Sequence, residues 1–265
     1  MENKSFEQEI LHLIDNYLGV PTHSTCYHYT TMDALNGIIL SNPIVGQEVC
    51  LRATHSKYLN DQSELENGVC LLTNMLSNTI LKEKTTEEII EMIYKRLGDI
   101  FVLSLSLNNN SLPMWNTYAN RGMGIAIGFE NIKSTSETSL ALKCVYKPSA
   151  IYDLIDNYMN NQRLKVISTV ALLFAPLFLK DNSYEYENEV RYVGSFNHEP
   201  IQYRLKNSYL IPYKNIYFAK EQIKSITLGP CQNMRDAESS LRHFLDSKGF
   251  EHVKIEKSNI PYRSM

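Results

Sequence analysis

Glu187, Glu189 and Arg191 occupy alternate positions in Tyr186-Glu187-Asn188-Glu189-Val190-Arg191-Tyr192-Val193, a stretch whose valines and tyrosines favour a pleated strand. Side chains at i, i+2 and i+4 of a strand point the same way, so two carboxylates and a guanidinium form one row while Val190 and Tyr192 face a core. Neighbouring carboxylates repel, which raises the proton affinity of one toward working pH and fits it as a base. The other stays ionised and can stabilise developing positive charge. The same row also fits an ordinary solvated sheet face with Arg191 as a structural ion-pair partner.

Other residues could share that chemistry. His28 lies at the end of an early strand between Tyr27 and Tyr29, or is tucked against the helix that follows. Arg52 and Arg191 carry guanidinium forks that match phosphate oxygens. Asn60 and Asp61 could orient sugar or phosphate groups from a polar loop, unless Asp61 caps the next helix. Trp115, the only tryptophan, and Tyr118 follow the loop Asn108-Asn109-Asn110-Ser111, either as stacking surfaces or as core. Gly122-Met123-Gly124 lacks the third glycine and the helix of a Rossmann dinucleotide fingerprint, and no phosphate-binding Walker loop, GxSxG or HExxH occurs.

The elements that must position these groups follow from periodicity and punctuation. An amphipathic helix is predicted over 5–18, a strand over 25–29, a helix capped by Thr30 and Asp33, and a strand over 48–54. A polar loop over 55–62 leads to a helix through Leu72 and Leu76. A helix over 86–97 is capped by Thr85 and Glu88, and strands follow at 100–105 and 123–129. Further strands are predicted near 141–146, 187–193, 201–204, 208–213 and 223–228, with a helical region at 149–179, a helix at 234–247 and a last strand at 253–256. The expected fold is α+β: one domain over 1–265 with a mixed, mostly antiparallel split β-sheet flanked by helices.

Composition narrows the class. With 265 residues, 43% hydrophobic and 21% charged, the chain can bury a substantial core. A net charge of -3 provides no global basic field, so any nucleic-acid contact has to come from a local patch. Five cysteines, odd in number and without a CxxC pair, argue against a disulfide framework or zinc site and point to a reducing cytoplasm. No targeting segment is visible at the N-terminus. The longest apolar run, 166–179, contains Ser168, Thr169 and Pro176 and falls short of the ~20 residues that span a bilayer. No membrane partner is expected.

Several segments together resemble a family of bacterial proteins carrying the label DUF2971. They are Tyr27-His28-Tyr29-Thr30, Leu51-Arg52-Ala53-Thr54, Leu59-Asn60-Asp61, Phe101 to Ser106, Met114-Trp115-Asn116-Thr117-Tyr118-Ala119, Gly124 to Phe129, Lys180 with Tyr186 to Arg191, and Ile226 to Pro230. The motif-bearing core covers about 25–230. One departure is visible: Asn60-Asp61 is followed by Gln62-Ser63-Glu64, where the family often has Asn-Asp-Pro-Phe-Glu. That family in turn looks like a distant relative of ADP-ribosyltransferases of the histidine, tyrosine and glutamate class.

The second resemblance implies NAD as substrate. Glu189 would stabilise the oxocarbenium-like ribose left when nicotinamide departs, and Glu187 would act as base toward the incoming nucleophile. With NAD bound, His28 would bind a ribose hydroxyl, Thr30 would offer its backbone to the nicotinamide amide and Tyr118 would stack on the nicotinamide, with Tyr29 and Trp115 as further cofactor-binding residues. Arg52 and Arg191 would take the pyrophosphate, and Asn60 and Asp61 the ribose or phosphates. The acceptor would be a macromolecule (RNA, DNA or protein) in a bacterial toxin or phage-defence setting, with a cognate antitoxin protein as partner. Glu189→Gln, being isosteric, is expected to stop turnover and leave folding intact. Two other readings stay open: metal-assisted phosphodiester or glycoside hydrolysis with His28, Asp61, Glu187 and Glu189 as ligands, and a non-catalytic aromatic-rich binding module.

Overall fold

The computed structural model of the chain describes residues 19–20, 23–59, 64–75, 84–132, 139–147, 175–206, 208–230 and 233–262. The helix expected over 5–18, the pair Asn60 and Asp61, and most of the helical region expected over 149–179 lie outside these residues. In chain order the first half contains β1 (Thr25–Thr30), α1 (Met32–Ile38), β2 (Val49–His55), α2 (Glu64–Met75), α3 (Thr86–Leu97), β3 (Phe101–Ser106), α4 (Leu112–Tyr118) and β4 (Ile125–Glu130). The second half contains β5 (Ser139–Lys143), β6 (Glu189–Gly194), β7 (Gln202–Lys206), β8 (Tyr209–Phe218), β9 (Ile223–Leu228), α5 (Met234–Ser247) and β10 (Lys254–Lys257). The class is α+β, as expected.

Local chemistry accounts for most boundaries. Thr85 and Glu88 form a reciprocal capping box at the start of α3, with hydrogen bonds of 3.2 and 2.8 Å. Helix α1 is capped one residue later than expected, because the Thr31 hydroxyl, not that of Thr30, accepts from the Ala34 N–H. Thr30 therefore remains the last residue of β1. Helix α4 was not foreseen; Pro113 occupies its first turn, where a missing N–H is harmless. Gly124 then lets the chain press back onto β1, since a Cβ there would collide with the Thr30 carbonyl and with Ala119.

The ten strands run in the order β10-β9-β4-β1-β3-β2-β8-β7, with β6 attached to β3 and β5 to β6. All pairs are antiparallel except β9 with β10. Strand β3 is the branch point. Its full length pairs with β6, from Phe101↔Gly194 to Ser106↔Glu189. A strand has two edges, so β1 and β2 must share the other one: β1 touches it only at Tyr27↔Ser106, and β2 only at Thr54↔Val102 and His55↔Phe101. Among the described residues, Leu103, Ser104 and Leu105 have no strand partner on that edge. The sheet is split there.

Packing follows the two faces. One face carries a continuous core that includes Cys26, Leu51, Leu103, Leu105, Ile127, Val190, Tyr192 and Ile226, covered by α1 and by Leu241 and Leu245 of α5. The other face carries two separate clusters. Val69, Ile89, Ile93, Val102, Leu140, Leu142, Phe178 and Val193 pack together under α2 and α3, while Tyr29, Met114, Trp115, Ala119 and Ala126 pack around α4. Between those clusters the split sheet lies open.

Candidate active site

A cleft of about 210 Å³ occupies the split. Tyr27, His28 and Tyr29 of β1, Arg52 and Thr54 of β2, Val102 to Leu105 of β3, Tyr118 of α4, Arg204 of β7, and Lys180, Glu187 and Glu189 all line it. Small-molecule sites usually span about 300–1,000 Å³, so this one accepts a sugar or ring with the remainder of a ligand reaching outward.

Glu187 does not lie on the strand with Glu189, contrary to the sequence reading. It ends a 3-10 turn (Asn182–Glu187), and Asn188 follows in the left-handed region with φ 42°, which breaks the alternation before β6 begins. Asparagine tolerates that conformation because its short amide bonds locally. The turn is anchored by Ser106 Oγ donating to the Glu187 carbonyl at 2.6 Å, by the Leu107 N–H donating to the Asn188 carbonyl at 2.9 Å, and by the Glu189 N–H donating to the Tyr146 hydroxyl at 2.7 Å.

What brings the two carboxylates together is Lys180. Its Nζ donates to Glu187 Oε2 at 2.5 Å and to Glu189 Oε2 at 2.8 Å, and it also lies 4.9 Å from the Tyr184 ring centre. Arg191 completes the group, with Nε 3.1 Å from Glu189 Oε1, Nη2 3.2 Å from Glu189 Oε2, and Nη1 donating to the Leu177 carbonyl at 2.6 Å. Lys180, Glu187, Glu189 and Arg191 are 6%, 4%, 4% and 2% exposed, which rules out a solvated sheet face. Two negative and two positive charges cancel inside the protein. Isolated ions would be costly there, so each requires its partners.

The pairing sets the protonation states. Burial alone would raise the Glu189 pKa, yet the adjacent Arg191 and Lys180 charges and their hydrogen bonds hold it down at about 2. Glu189 is thus a fixed anion. The Tyr118 hydroxyl donates to Glu187 Oε1 at 2.9 Å, and burial followed by the Glu187 charge pushes that phenol up. Burial also drives the Cys144 thiol, 3.5 Å from Glu189 Oε2, well above its ordinary value, so it sits there as a neutral donor.

His28 reaches the cleft differently from its neighbours. Tyr27 pairs with Ser106, which pairs with Glu189, so Tyr27 and Tyr29 share the Glu189 face while His28 alternates to the other side. Its ring lines the cleft together with Ser104 of β3; burial outweighs the opposing effect of the Ser104 backbone and lowers its pKa to about 4. At neutral pH the imidazole is uncharged.

The remaining candidates separate into groups. Tyr29 and Tyr118 line the cleft, whereas Thr30 and Trp115 do not. Trp115 is fully buried, edge-on to Tyr29 at 4.8 Å, with its Nε1 donating to Asn110 Oδ1 at 2.9 Å. The asparagine loop is pinned: the Tyr29 hydroxyl donates to the Asn108 carbonyl and accepts from the Ser111 N–H, and Ser258 and Asn259 bond Asn110. Arg191 is drawn into the glutamate network, and Arg52 lies on the opposite wall over the Tyr213 ring at 4.9 Å. Lys180 and Arg204 had no assigned role from the sequence. The visible signals for Lys180 are its place among the segments that resemble DUF2971 and a single cation closing the apolar run Leu177-Phe178-Leu179; Arg204, in Gln202 to Lys206, reads as an ordinary edge-strand charge.

No helix among the described residues is long and apolar enough to cross a membrane. No curated protein and no solved structure matches the chain. Residues 114–192, which run from α4 through Lys180 and both glutamates into β6, match the family described as protein of unknown function DUF2971.

Proposed function

We propose that the chain is an NAD-consuming ADP-ribosyltransferase that breaks the nicotinamide–ribose bond and passes ADP-ribose to a macromolecular acceptor, RNA, DNA or protein, in a toxin or phage-defence setting. The observation that carries this reading is the clustering of Glu187, Glu189, Tyr118 and Lys180 at a cleft opened by a split sheet, with Tyr27, Tyr29 and two arginines on its other walls. Departure of nicotinamide leaves positive charge on ribose, which a buried, preorganised carboxylate stabilises.

The hydrogen bonds divide the labour between the glutamates. Glu189 Oε2 already accepts from Lys180, Arg191 and Cys144, whereas each Glu187 oxygen accepts one bond, from Tyr118 or Lys180. A carboxylate offers about four lone-pair sites, so Glu187 keeps capacity for a ribose hydroxyl. Glu187 is therefore the group that meets the substrate, and Glu189 is the fixed anion that holds Lys180 beside it. This reverses the emphasis of the sequence reading. A metal-assisted alternative is less favoured, because the Lys180 ammonium already fills the place between the carboxylates where a cation would bind. Among the described residues no group of three His, Cys, Asp or Glu side chains is arranged to hold a metal ion.

The test is incubation with labelled NAD and cell lysate, followed by protease or nuclease to identify the polymer that retains label. Wild-type protein is expected to release nicotinamide and label one polymer, and Glu187→Gln to do so about 100-fold more slowly. Absence of both nicotinamide release and labelling, or undiminished activity in Glu187→Gln, overturns the reading.

A further inference from the structure

The cleft wall across from the glutamates carries two guanidinium groups with, among the described residues, no acid bonded to either. Thr54 pairs with Tyr213 and Tyr213 with Gln202, so Arg52 and Arg204 project from the same face of β2 and β7 on either side of that row, Arg52 level with Asn215 and Arg204 level with Ile211. Both line the cleft together with Thr54. Among the described residues neither forms an ion pair: Arg52 rests on the Tyr213 ring, and Arg204 Nη2 donates to Thr54 Oγ1 at 2.9 Å. Arg204 Nε is buried with no hydrogen-bond partner among the described residues. Burial and then the neighbouring Arg52 charge lower the Arg204 pKa, a sign that the two cations act on one another.

Such an arrangement is costly to the free protein. A buried N–H without an acceptor and two like charges on one wall both cost free energy, and one anion with several oxygens relieves both. A guanidinium fork matches phosphate geometry, and the Thr54 hydroxyl can add a further donor. Position matters as well. Thr54 is paired with Val102 and Glu189 with Ser106, so the two walls are about four residues apart along β3, or roughly 13 Å at ~3.3 Å per residue. Long arginine side chains reaching inward shorten that span to one that an extended ribosyl diphosphate bridges.

We infer that Arg52, Arg204 and Thr54 form a subsite for the diphosphate of a nucleotide whose ribose lies against Glu187. The nucleotide's identity rests on the transferase reading, while the anion subsite stands on the two arginines. Arg204, with Arg52, takes the phosphate-binding place that the sequence had given to Arg191.

The experiment is calorimetric titration of the full chain with ADP, with inorganic pyrophosphate and, separately, with a short single-stranded oligonucleotide. ADP and pyrophosphate are expected to bind, and Arg52→Gln and Arg204→Gln each to weaken both by about tenfold or more, equivalent to about 1.4 kcal/mol. Glu187→Gln is expected to retain pyrophosphate binding. Arg52 is exposed, so its variant serves even if Arg204→Gln folds poorly, and Arg204→Lys checks that the planar fork matters as well as the charge. Failure of ADP and pyrophosphate to bind, binding indifferent to both arginine variants, or arginine-dependent binding of the oligonucleotide alone overturns the inference. The two readings fail separately. Arginine-dependent ADP binding without nicotinamide release leaves the subsite and removes the transferase, whereas nicotinamide release with an unchanged KM for NAD in both arginine variants does the reverse.

Discussion

The two walls of the cleft handle charge in opposite ways. On the β6 wall Lys180, Glu187, Glu189 and Arg191 are buried, and each is bonded to another member of the group. On the β2 and β7 wall Arg52 and Arg204 have aromatic and hydroxyl neighbours but, among the described residues, no carboxylate. A closed network of charges is part of the folded structure, whereas an open pair of like charges is complete only with something bound. Substitutions on the first wall should therefore act on stability as well as activity, and those on the second on binding alone.

The largest effect is expected from Lys180→Met. It leaves Glu187 buried without a cation and Glu189 with Arg191 alone, and breaking a buried pair in this way costs about 3–5 kcal/mol, measurable by denaturant unfolding. A change below ~1 kcal/mol would mean that the network is not closed. Next comes Glu189→Gln. The earlier expectation that this change spares folding does not suit the geometry, because Lys180 and Arg191 lose their shared anion. Destabilisation of about 2–3 kcal/mol should accompany any loss of turnover.

Acid unfolding sharpens the comparison further. His28 has a folded pKa of about 4 against 6.5 for the free group, so the unfolded chain takes up this proton first. Its contribution is complete above about 6.5 and declines as pH falls toward 4. Glu189, about 2 when folded against 4.5, contributes fully above about 4.5 and loses that contribution as pH falls toward 2. Stability followed against pH should fall in two stages, and His28→Asn should remove only the upper one. The smallest effect belongs to Arg204→Gln, expected to shift stability by no more than about 0.5 kcal/mol or to raise it slightly, since it removes a like-charge neighbour of Arg52. A loss above ~2 kcal/mol would place Arg204 with the structural charges instead.

Much of the scaffold was legible in local patterns. The Thr85 and Glu88 capping pair, the helix over 234–247 and the strand over 223–228 appear as expected, because each depends on neighbours within a turn or on simple alternation. The site was only partly legible. Glu187 and Glu189 do share a cleft, but through a left-handed Asn188 and a bridging Lys180, not through strand alternation. His28 lines the cleft although it sits on the opposite pleat from Tyr27 and Tyr29, which only the split between β1 and β2 permits. Trp115 looked like a candidate ring-stacking residue and is instead an anchor for the asparagine loop.

The sequence by itself determined which side chains could carry charge and which segments would be strand or helix, because those properties depend on residue type and on spacing within a few positions. Tertiary structure alone decided which charges meet. Pairing β3 with three strands opens the sheet beside Ser104, brings Lys180 between two carboxylates and leaves Arg52 and Arg204 facing the space across from them. Those neighbours come from distant parts of the chain. Their energies depend on separation and burial in space, quantities that no local pattern of residues encodes.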